Sequence, residues 1–105
     1  MTEPIVFEHA DVQVRVDRGI FELFQRRNVI ATYRTPLEWV RVHVQVRRRA
    51  MLLHFSHIQD PDDPIYGRLM TSVYSLATVE IPMSDEPVYR AFFTELAHLS
   101  NRPIA

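Results

Sequence analysis

Residues 40–47 constrain the fold most, because valine alternates there with a polar residue at every step. Only a β-strand places residues two apart on the same face, so this alternation predicts a half-buried strand. Its polar positions, Arg41, His43 and Gln45, then form a basic outer face. The fold class can be argued from this pattern, whereas the chain carries no equally specific catalytic or ligand-binding motif.

Length and composition indicate one domain of ordinary make-up. The 105 residues are 47% hydrophobic and 24% charged, with a net charge of −1, so we expect a single domain spanning residues 1–105. A nearly neutral chain has no overall field that would steer it onto nucleic acid or an anionic membrane. All 12 basic residues are arginine, and each can make a planar, bidentate contact with a carboxylate or phosphate.

The absence of cysteine excludes disulfides, thiolate catalysis and thiolate metal sites. The first residues, Met-Thr-Glu-Pro, carry neither the basic start nor the apolar run of a secretion signal. The longest uninterrupted apolar run covers residues 50–53, far short of the roughly 20 residues that a membrane-spanning helix needs. We therefore expect a cytoplasmic protein with no transmembrane segment.

Further apolar segments in the first half of the chain predict antiparallel β-hairpins. Turn residues at 17–19 and a polar connection at 25–28 separate three of them, and a glycine and an asparagine there can adopt positive φ. Thr35 and Pro36 are expected to break the ladder, because proline has no N–H group to donate. The predicted strands cover residues 5–7, 12–16, 20–24, 29–33, 37–46 and 50–56.

The stretch from residue 59 to residue 77 has two interpretations. Residues 59–68 alternate aspartates with prolines and predict an exposed acidic loop. Residues 64–77 place apolar side chains at helical spacing, but they also alternate as a strand and include many poor helix formers. A strand is the favoured prediction, and a second helix near residues 64–77 is the alternative.

The last part of the chain predicts an amphipathic helix. Ser84 or Asp85 would cap it, and Pro87 fits its first turn. The apolar residues of its stripe are Val88, Tyr89, Phe92, Phe93, Leu96 and Leu99. Together the segments predict a mainly β fold, in which antiparallel hairpins form a small barrel or sandwich closed by one C-terminal helix. A second helix would make the fold α+β.

This order of hairpins followed by one C-terminal helix resembles the pleckstrin-homology-like (PH-like) domains, including their bacterial members. The residues that carry the resemblance are 19–24, then 35–40 with a proline opening a strand, and the closing helix at 89–99. The resemblance implies a PH-like barrel that binds proteins, peptides or lipid headgroups and seldom catalyses a reaction. The chain departs from the phosphoinositide-binding pattern, because the two arginines near its first hairpin loop flank an aspartate.

Arginines supply the candidate binding site. Two groups lie at predicted hairpin connections, so corners at one end of the fold would form a single arginine rim for a carboxylate, phosphate or acidic protein surface. The alternative is that they are solvated turns and a charged edge strand that discourages aggregation. The candidate binding residues are Arg26, Arg27, Trp39, Arg41, His43, Arg47, Arg48 and Arg49.

Trp39 also has two interpretations. With nearby aromatic residues it would support the pairing of an open sheet edge with a partner's strand or with a second copy of the chain. Otherwise it is a core or half-core anchor at the start of its strand, because tryptophan is usually largely buried.

Metal binding and catalysis find little support in the sequence. His54, His57 and Asp60 are the best metal candidates, but residues 54 and 57 of a strand point to opposite faces, so we predict no metal and no cofactor. No serine lies in a Gly-x-Ser-x-Gly turn, and there is no glycine-rich phosphate loop. An enzyme would need a constellation from distant strands, for example His43 with Glu38 or Asp17.

The sequence therefore predicts a small non-catalytic module for protein interaction or assembly, whose partner is another protein or a second copy of itself. Binding of an anion or lipid headgroup at the arginine rim is the alternative, and a small enzyme with an unrecognised pocket is the third hypothesis. Nucleic acid fits less well, because no aromatic residues interleave with the arginines as a stacking platform requires, and the acidic loop would repel phosphates.

Overall fold

The computed structural model describes residues 3–26, 28–69 and 74–103. The chain divides into two compact units, residues 1–40 and 41–105, and each is built around one β-sheet. The strands of the first sheet are β1 (Ile5–His9), β2 (Val12–Asp17), β3 (Ile20–Gln25) and β4 (Tyr33–Pro36). Those of the second are β5 (Val40–Val46), β6 (Met51–His57), β7 (Tyr66–Arg68) and β8 (Ala77–Ile81). Short 3-10 helices cover Leu37–Trp39 and Met83–Asp85, and one α-helix, α1, covers Glu86–Leu99.

The first sheet is an antiparallel meander in the order β1-β2-β3-β4. Its buried face follows from the alternating valines of β2, because every second residue of a strand shares a face. Val14 lies opposite Leu23 and Val16 opposite Phe21, and all four side chains are buried. The predicted hairpin between these two strands is therefore confirmed.

The turn between β2 and β3 has two central residues, Arg18 and Gly19, with φ values of 52° and 78°. Positive φ at both positions is what a two-residue type I′ hairpin turn requires. Glycine adopts this conformation without steric cost, whereas arginine does so only at some cost. The turn brings Asp17 opposite Ile20, which sets the register of the hairpin.

The fourth strand lies further along the chain than the sequence predicts. The strand expected at residues 29–33 is wrong, because β4 begins at Tyr33, and Val29 and Ile30 lie in an exposed loop before it. Pro36 is part of β4 rather than a break in the ladder. Because β4 is an edge strand, a residue without an N–H group is tolerated there.

The second sheet has the order β7-β5-β6-β8. β6 and β8 are antiparallel, whereas β5 and β7 run parallel, with Val42 opposite Tyr66. This parallel pair is an exception to the predicted antiparallel pairing. In the described part of the chain both sheets are open, so the strands form two four-stranded sheets and no closed barrel. The mainly β class with one C-terminal helix is confirmed.

The described residues between 64 and 77 contain strand and loop, and no helix. β7 lies at the start of this stretch and β8 begins at its end; residues 70–73, which belong to the same prediction, lie outside the described residues. Ile65 connects β7 to its surroundings, since its N–H donates to the carbonyl of Pro103 at 2.9 Å and its carbonyl accepts from the N–H of Val42 at 2.8 Å. The favoured strand is thus confirmed only at 66–68 and at residue 77, where β8 begins, and the other described residues of this stretch are loop.

α1 packs on the second sheet through the fully buried Phe93. The Phe93 ring stacks on Tyr66 with 5.1 Å between centroids and lies 6.1 Å from the ring of Phe55. Val88 and Leu99 are exposed, so the buried stripe is narrower than the sequence predicts. None of the described helices is both long enough and apolar enough to span a membrane.

Candidate functional site

The outer face of β5 carries the polar residues that the alternation predicts. The valines at its even-numbered positions are buried up to residue 44, whereas Arg41, His43 and Gln45 between them are half-buried. His54 of β6 joins them on this face, since it contacts Gln45 directly. Arg47 follows β5 and acts electrostatically on His54. These five residues, Arg41, His43, Gln45, Arg47 and His54, are named the basic strip.

His54 takes part in a chain of hydrogen bonds across the strip. Its Nε2 lies 2.7 Å from Gln45 Oε1, and its Nδ1 lies 3.4 Å from Thr78 Oγ1. Because an amide oxygen only accepts, Nε2 carries the proton, which leaves Nδ1 as an acceptor facing the Thr78 hydroxyl. The Thr78 hydroxyl has one proton and lies closer to Ser75 Oγ, so the contact with Gln45 is the stronger of the two that the neutral imidazole makes.

The two imidazoles of the strip favour their neutral forms. Burial and the nearby Arg41 lower the pKa of His43, and Asp63 opposes this only in part. Burial and Arg47 lower the pKa of His54. At neutral pH the strip therefore carries positive charge on the arginines at its two ends, with neutral rings between them.

The Nδ1 atom of His43 is buried and has no hydrogen-bond partner among the described residues. Its neighbour in the parallel strand β7 is Gly67, which has no side chain to supply one. Leaving a buried polar atom unpaired costs free energy. Protonation of this ring would add a charge at a site that already disfavours it, so His43 links stability to pH.

The acidic loop covers residues 59–64 and is shorter than the exposed loop predicted at 59–68, because residues 65–67 are buried and Tyr66–Arg68 form β7. It folds back on itself near one end of the strip. Asp63 Oδ2 accepts hydrogen bonds from two backbone N–H groups, of which that of Gln59 is the shorter at 2.8 Å, and these bonds lower the pKa of Asp63. Arg41 donates to the carbonyl of Pro64 at 2.6 Å, and Arg102 donates to the carbonyl of Asp63 at 3.1 Å. The guanidinium of Arg41 is thus already bound within the protein.

Arg47, Arg48 and Arg49 form an exposed turn between β5 and β6, named the arginine corner. The N–H of Arg47 donates to the carbonyl of Ala50 at 2.9 Å, so only two residues make the turn. None of the three arginines forms an ion pair with another described residue. Since Arg47 belongs to both, the corner and the strip form one continuous surface of the second unit.

The other predicted binding residues belong to the first unit. Arg26 follows β3, is exposed and has a φ of 56°, and its N–H donates to the carbonyl of Asp11 at 2.9 Å. Arg27 lies outside the described residues. Trp39 ends a 3-10 helix and is 49% exposed, so it is not a core residue. β5 begins only after it, at Val40, three residues later than the predicted strand.

The histidines considered for metal binding do not form a ligand set. His54 is half-buried in the strip, whereas His57 is exposed at the end of β6. An odd spacing along a strand separates the two side chains onto opposite faces. Across the three described ranges, no three His, Cys, Asp or Glu side chains come together as a metal site requires.

The chain of Thr78, His54 and Gln45 follows the order of nucleophile, base and orienting group in hydrolases. Thr78 Oγ1 also lies 2.9 Å from Ser75 Oγ, which donates to the carbonyl of Ala77. The 3.4 Å between Thr78 and His54 is long for proton transfer. These contacts join β6 to β8, and we interpret them as structural.

A buried carboxylate at the start of α1, Glu86, was not predicted as part of any site. Glu86 is 5% exposed and accepts a hydrogen bond from the Tyr66 hydroxyl at 2.6 Å. It also accepts from the Arg90 guanidinium, through Nε at 3.1 Å and through Nη2. Arg90 is the main reason that the pKa of Glu86 is lowered, whereas burial and the contact with Glu86 raise the pKa of Tyr66. The four-residue spacing of Glu86 and Arg90 is the signal that the sequence offers for this cluster.

No family model matches the chain, and neither does a curated protein or a solved structure. The resemblance to PH-like domains therefore stays a prediction. The function has to be argued from the basic strip, the arginine corner and the surfaces around them.

Proposed function

We propose that this chain is a non-catalytic protein-interaction module that binds an acidic segment of a partner protein along the basic strip and the arginine corner. The observation that carries the proposal is the corner, where three adjacent exposed arginines have no ion-pair partner among the described residues. Guanidinium groups bind carboxylates in planar, bidentate pairs. Three of them side by side favour a ligand that carries several carboxylates.

The basic strip determines how long the bound peptide is and along which line it lies. Arg41 and Arg47 are separated by roughly 20 Å if the chain between them rises about 3.3 Å per residue. An extended peptide of about six residues covers that distance. Asp63 lies near the Arg41 end and would repel carboxylates there. We therefore place most of the acidic side chains of the ligand at the arginine corner.

An anion or lipid headgroup is the second candidate ligand. Phosphate oxygens bind adjacent guanidinium groups as carboxylates do, so the exposed corner also favours this chemistry. A small anion occupies the corner alone, whereas a peptide also contacts the strip. The two candidates therefore differ in how strongly binding depends on the length of the ligand.

Fluorescence anisotropy with a labelled hexapeptide of aspartate and glutamate tests the proposal. Because the corner is exposed, Arg48→Gln should weaken binding several-fold without changing stability. Raising NaCl from about 0.05 M to about 0.5 M should also weaken binding, since salt screens exposed charges. The matched control is Arg68→Gln, because Arg68 is an exposed arginine of β7 and its replacement changes the net charge equally.

Two outcomes would count against an acidic peptide as the ligand. Equal effects of Arg48→Gln and Arg68→Gln would show that binding follows net charge and not the corner. Competition by inorganic phosphate or by anionic vesicles as effective as that of the unlabelled hexapeptide would favour the second candidate.

A further inference from the structure

The loop between β3 and β4 presents two adjacent aliphatic side chains to solvent. Val29 is 93% exposed and Ile30 is 77% exposed, and this pair is named the apolar tip. The base of the loop is fixed to β3, because the N–H and the hydroxyl of Thr32 both donate to the carbonyl of Leu23, at 2.8 and 3.3 Å. Single exposed apolar residues are common, whereas contiguous exposed apolar surface is typical of interaction sites, and this pair is contiguous.

A shallow groove runs along the solvent-facing side of α1. Pro87, Ala91, Thr94 and His98 follow one another at spacings of four, three and four, which places them on one face of the helix. The exposed side chain of Leu99 also lines the groove, so most of its surface is apolar. This surface is named the helix groove.

We propose that the apolar tip of one molecule binds in the helix groove of a second copy of this chain. The aliphatic tip and the largely apolar groove match in chemistry. The two surfaces also carry opposite charges. Arg26, at the start of the tip loop, is exposed, and Glu95 of the groove forms no ion pair with another described residue. Arg90, the other charged groove residue, is bound to Glu86 and so does not oppose Arg26. An ion pair between Arg26 and the second molecule's Glu95 follows from this arrangement.

The contact has a defined symmetry and a modest strength. Tip and groove are different surfaces, so the interface is heterologous, and repeating it builds chains or rings. One tip in one groove buries much less than the roughly 1,200 Å² of a stable complex, so association is weak and depends on protein concentration. Neither surface includes the basic strip or the arginine corner, and the inference therefore stands or falls independently of the proposed function.

Sedimentation velocity of the full chain at increasing concentration tests this contact. The tip variant carries Val29→Ser and Ile30→Ser, and the groove variant carries Ala91→Arg; all three positions are exposed, so the circular dichroism spectrum should not change. The sedimentation coefficient of the wild type should rise with concentration, and each variant alone should remain monomeric. An equimolar mixture of the two variants should form 1:1 dimers and nothing larger, because only one intact tip and one intact groove can meet.

Two control variants separate this contact from other surfaces. Val6→Ser removes an exposed aliphatic side chain from β1 and should associate like the wild type. Arg48→Gln should also associate normally, although it weakens binding of the acidic hexapeptide. Arg26→Glu and Glu95→Arg should each weaken association, and an equimolar mixture of these two variants should regain part of it.

The inference is overturned by any of three results. These are a wild type that stays monomeric at every concentration, a tip or groove variant that still associates on its own, and an equimolar mixture of the two variants that stays monomeric. If the wild type instead binds anionic vesicles through Val29 and Ile30 without associating with itself, the tip belongs to a lipid surface and the proposed contact is wrong.

Discussion

Tyr66→Phe tests how much the buried Glu86 carboxylate stabilises the second unit. The Tyr66 hydroxyl donates to Glu86 at 2.6 Å, and the buried Tyr66 ring stacks on Phe93. Phenylalanine keeps the ring in place and removes only the hydroxyl. Arg90 still contacts the carboxylate, so the substitution leaves Glu86 with its charge partner but without its buried hydrogen-bond donor.

The expected effect at neutral pH is large for one oxygen atom. A hydrogen bond to a charged group contributes about 1.5–3 kcal/mol, so Tyr66→Phe should lower the free energy of unfolding by about 2 kcal/mol. Once Glu86 is protonated the bond joins two neutral groups and contributes about 0.5–1.5 kcal/mol. The cost of the substitution should therefore shrink in acid.

The pH at which the cost of Tyr66→Phe shrinks follows from the pKa of Glu86. Arg90 chiefly, with help from Tyr66, lowers this pKa from its ordinary value of 4.5. The folded protein then binds fewer protons than the unfolded chain, so the stabilisation is fully present above pH 4.5 and is lost as the pH falls through the folded pKa.

Guanidinium chloride unfolding followed by circular dichroism measures both quantities. Tyr74→Phe is the matched control, because it removes the same atom from a residue that is 83% exposed and should change nothing. The slope of the unfolding free energy with denaturant should be unchanged in both variants. A loss for Tyr66→Phe no larger than for Tyr74→Phe, or an equal loss at neutral and acidic pH, would refute the reasoning.

Three further predictions concern buried residues. Phe93→Ala should lower the free energy of unfolding by about 3–5 kcal/mol, and Phe92→Ala should lower it by less, because Phe92 is only half-buried. A similar loss for both variants in denaturant unfolding would contradict the packing described. Thr35→Val should raise the free energy of unfolding by about 1 kcal/mol, because the buried hydroxyl has no partner among the described residues, and an unchanged midpoint of thermal unfolding would speak against it. His43→Gln should flatten the pH dependence of stability, because burial lowers the pKa of His43 from 6.5 and the folded protein then loses stability as the pH falls below 6.5. Identical pH profiles of stability for the wild type and the variant would show that His43 is not responsible.

The features that could be predicted are those set by short-range patterns. The alternation in β5 places Arg41 and His43 on the outer face whatever strand pairs with it, because side-chain direction depends only on the strand itself. The turn at Gly19 is equally local, since positive φ is a property of two residues. The strand, the turn and the outer-face position of Arg41 and His43 were therefore predicted correctly.

The features that could not be predicted depend on neighbours distant in sequence. Val29 and Ile30 have high strand propensity, yet they lie in a loop, because pairing with β3 begins only near Tyr33. Pro36 is compatible with a strand once that strand is known to be an edge. The contact of Tyr66 with Glu86 likewise requires the parallel pairing of β7 with β5, which no local pattern indicates.

The sequence shows which arginines a face carries, but not which of them are already bound. Arg41 and Arg102 donate to carbonyl groups of the acidic loop, and Arg90 is bound to Glu86. A guanidinium group that must give up such a contact gains less from a ligand than one that is only hydrated. The arginine corner should therefore contribute most of the binding energy for an acidic peptide, and Arg48→Gln should weaken binding more than Arg41→Gln. The opposite order in the anisotropy measurement would place the ligand at the far end of the strip.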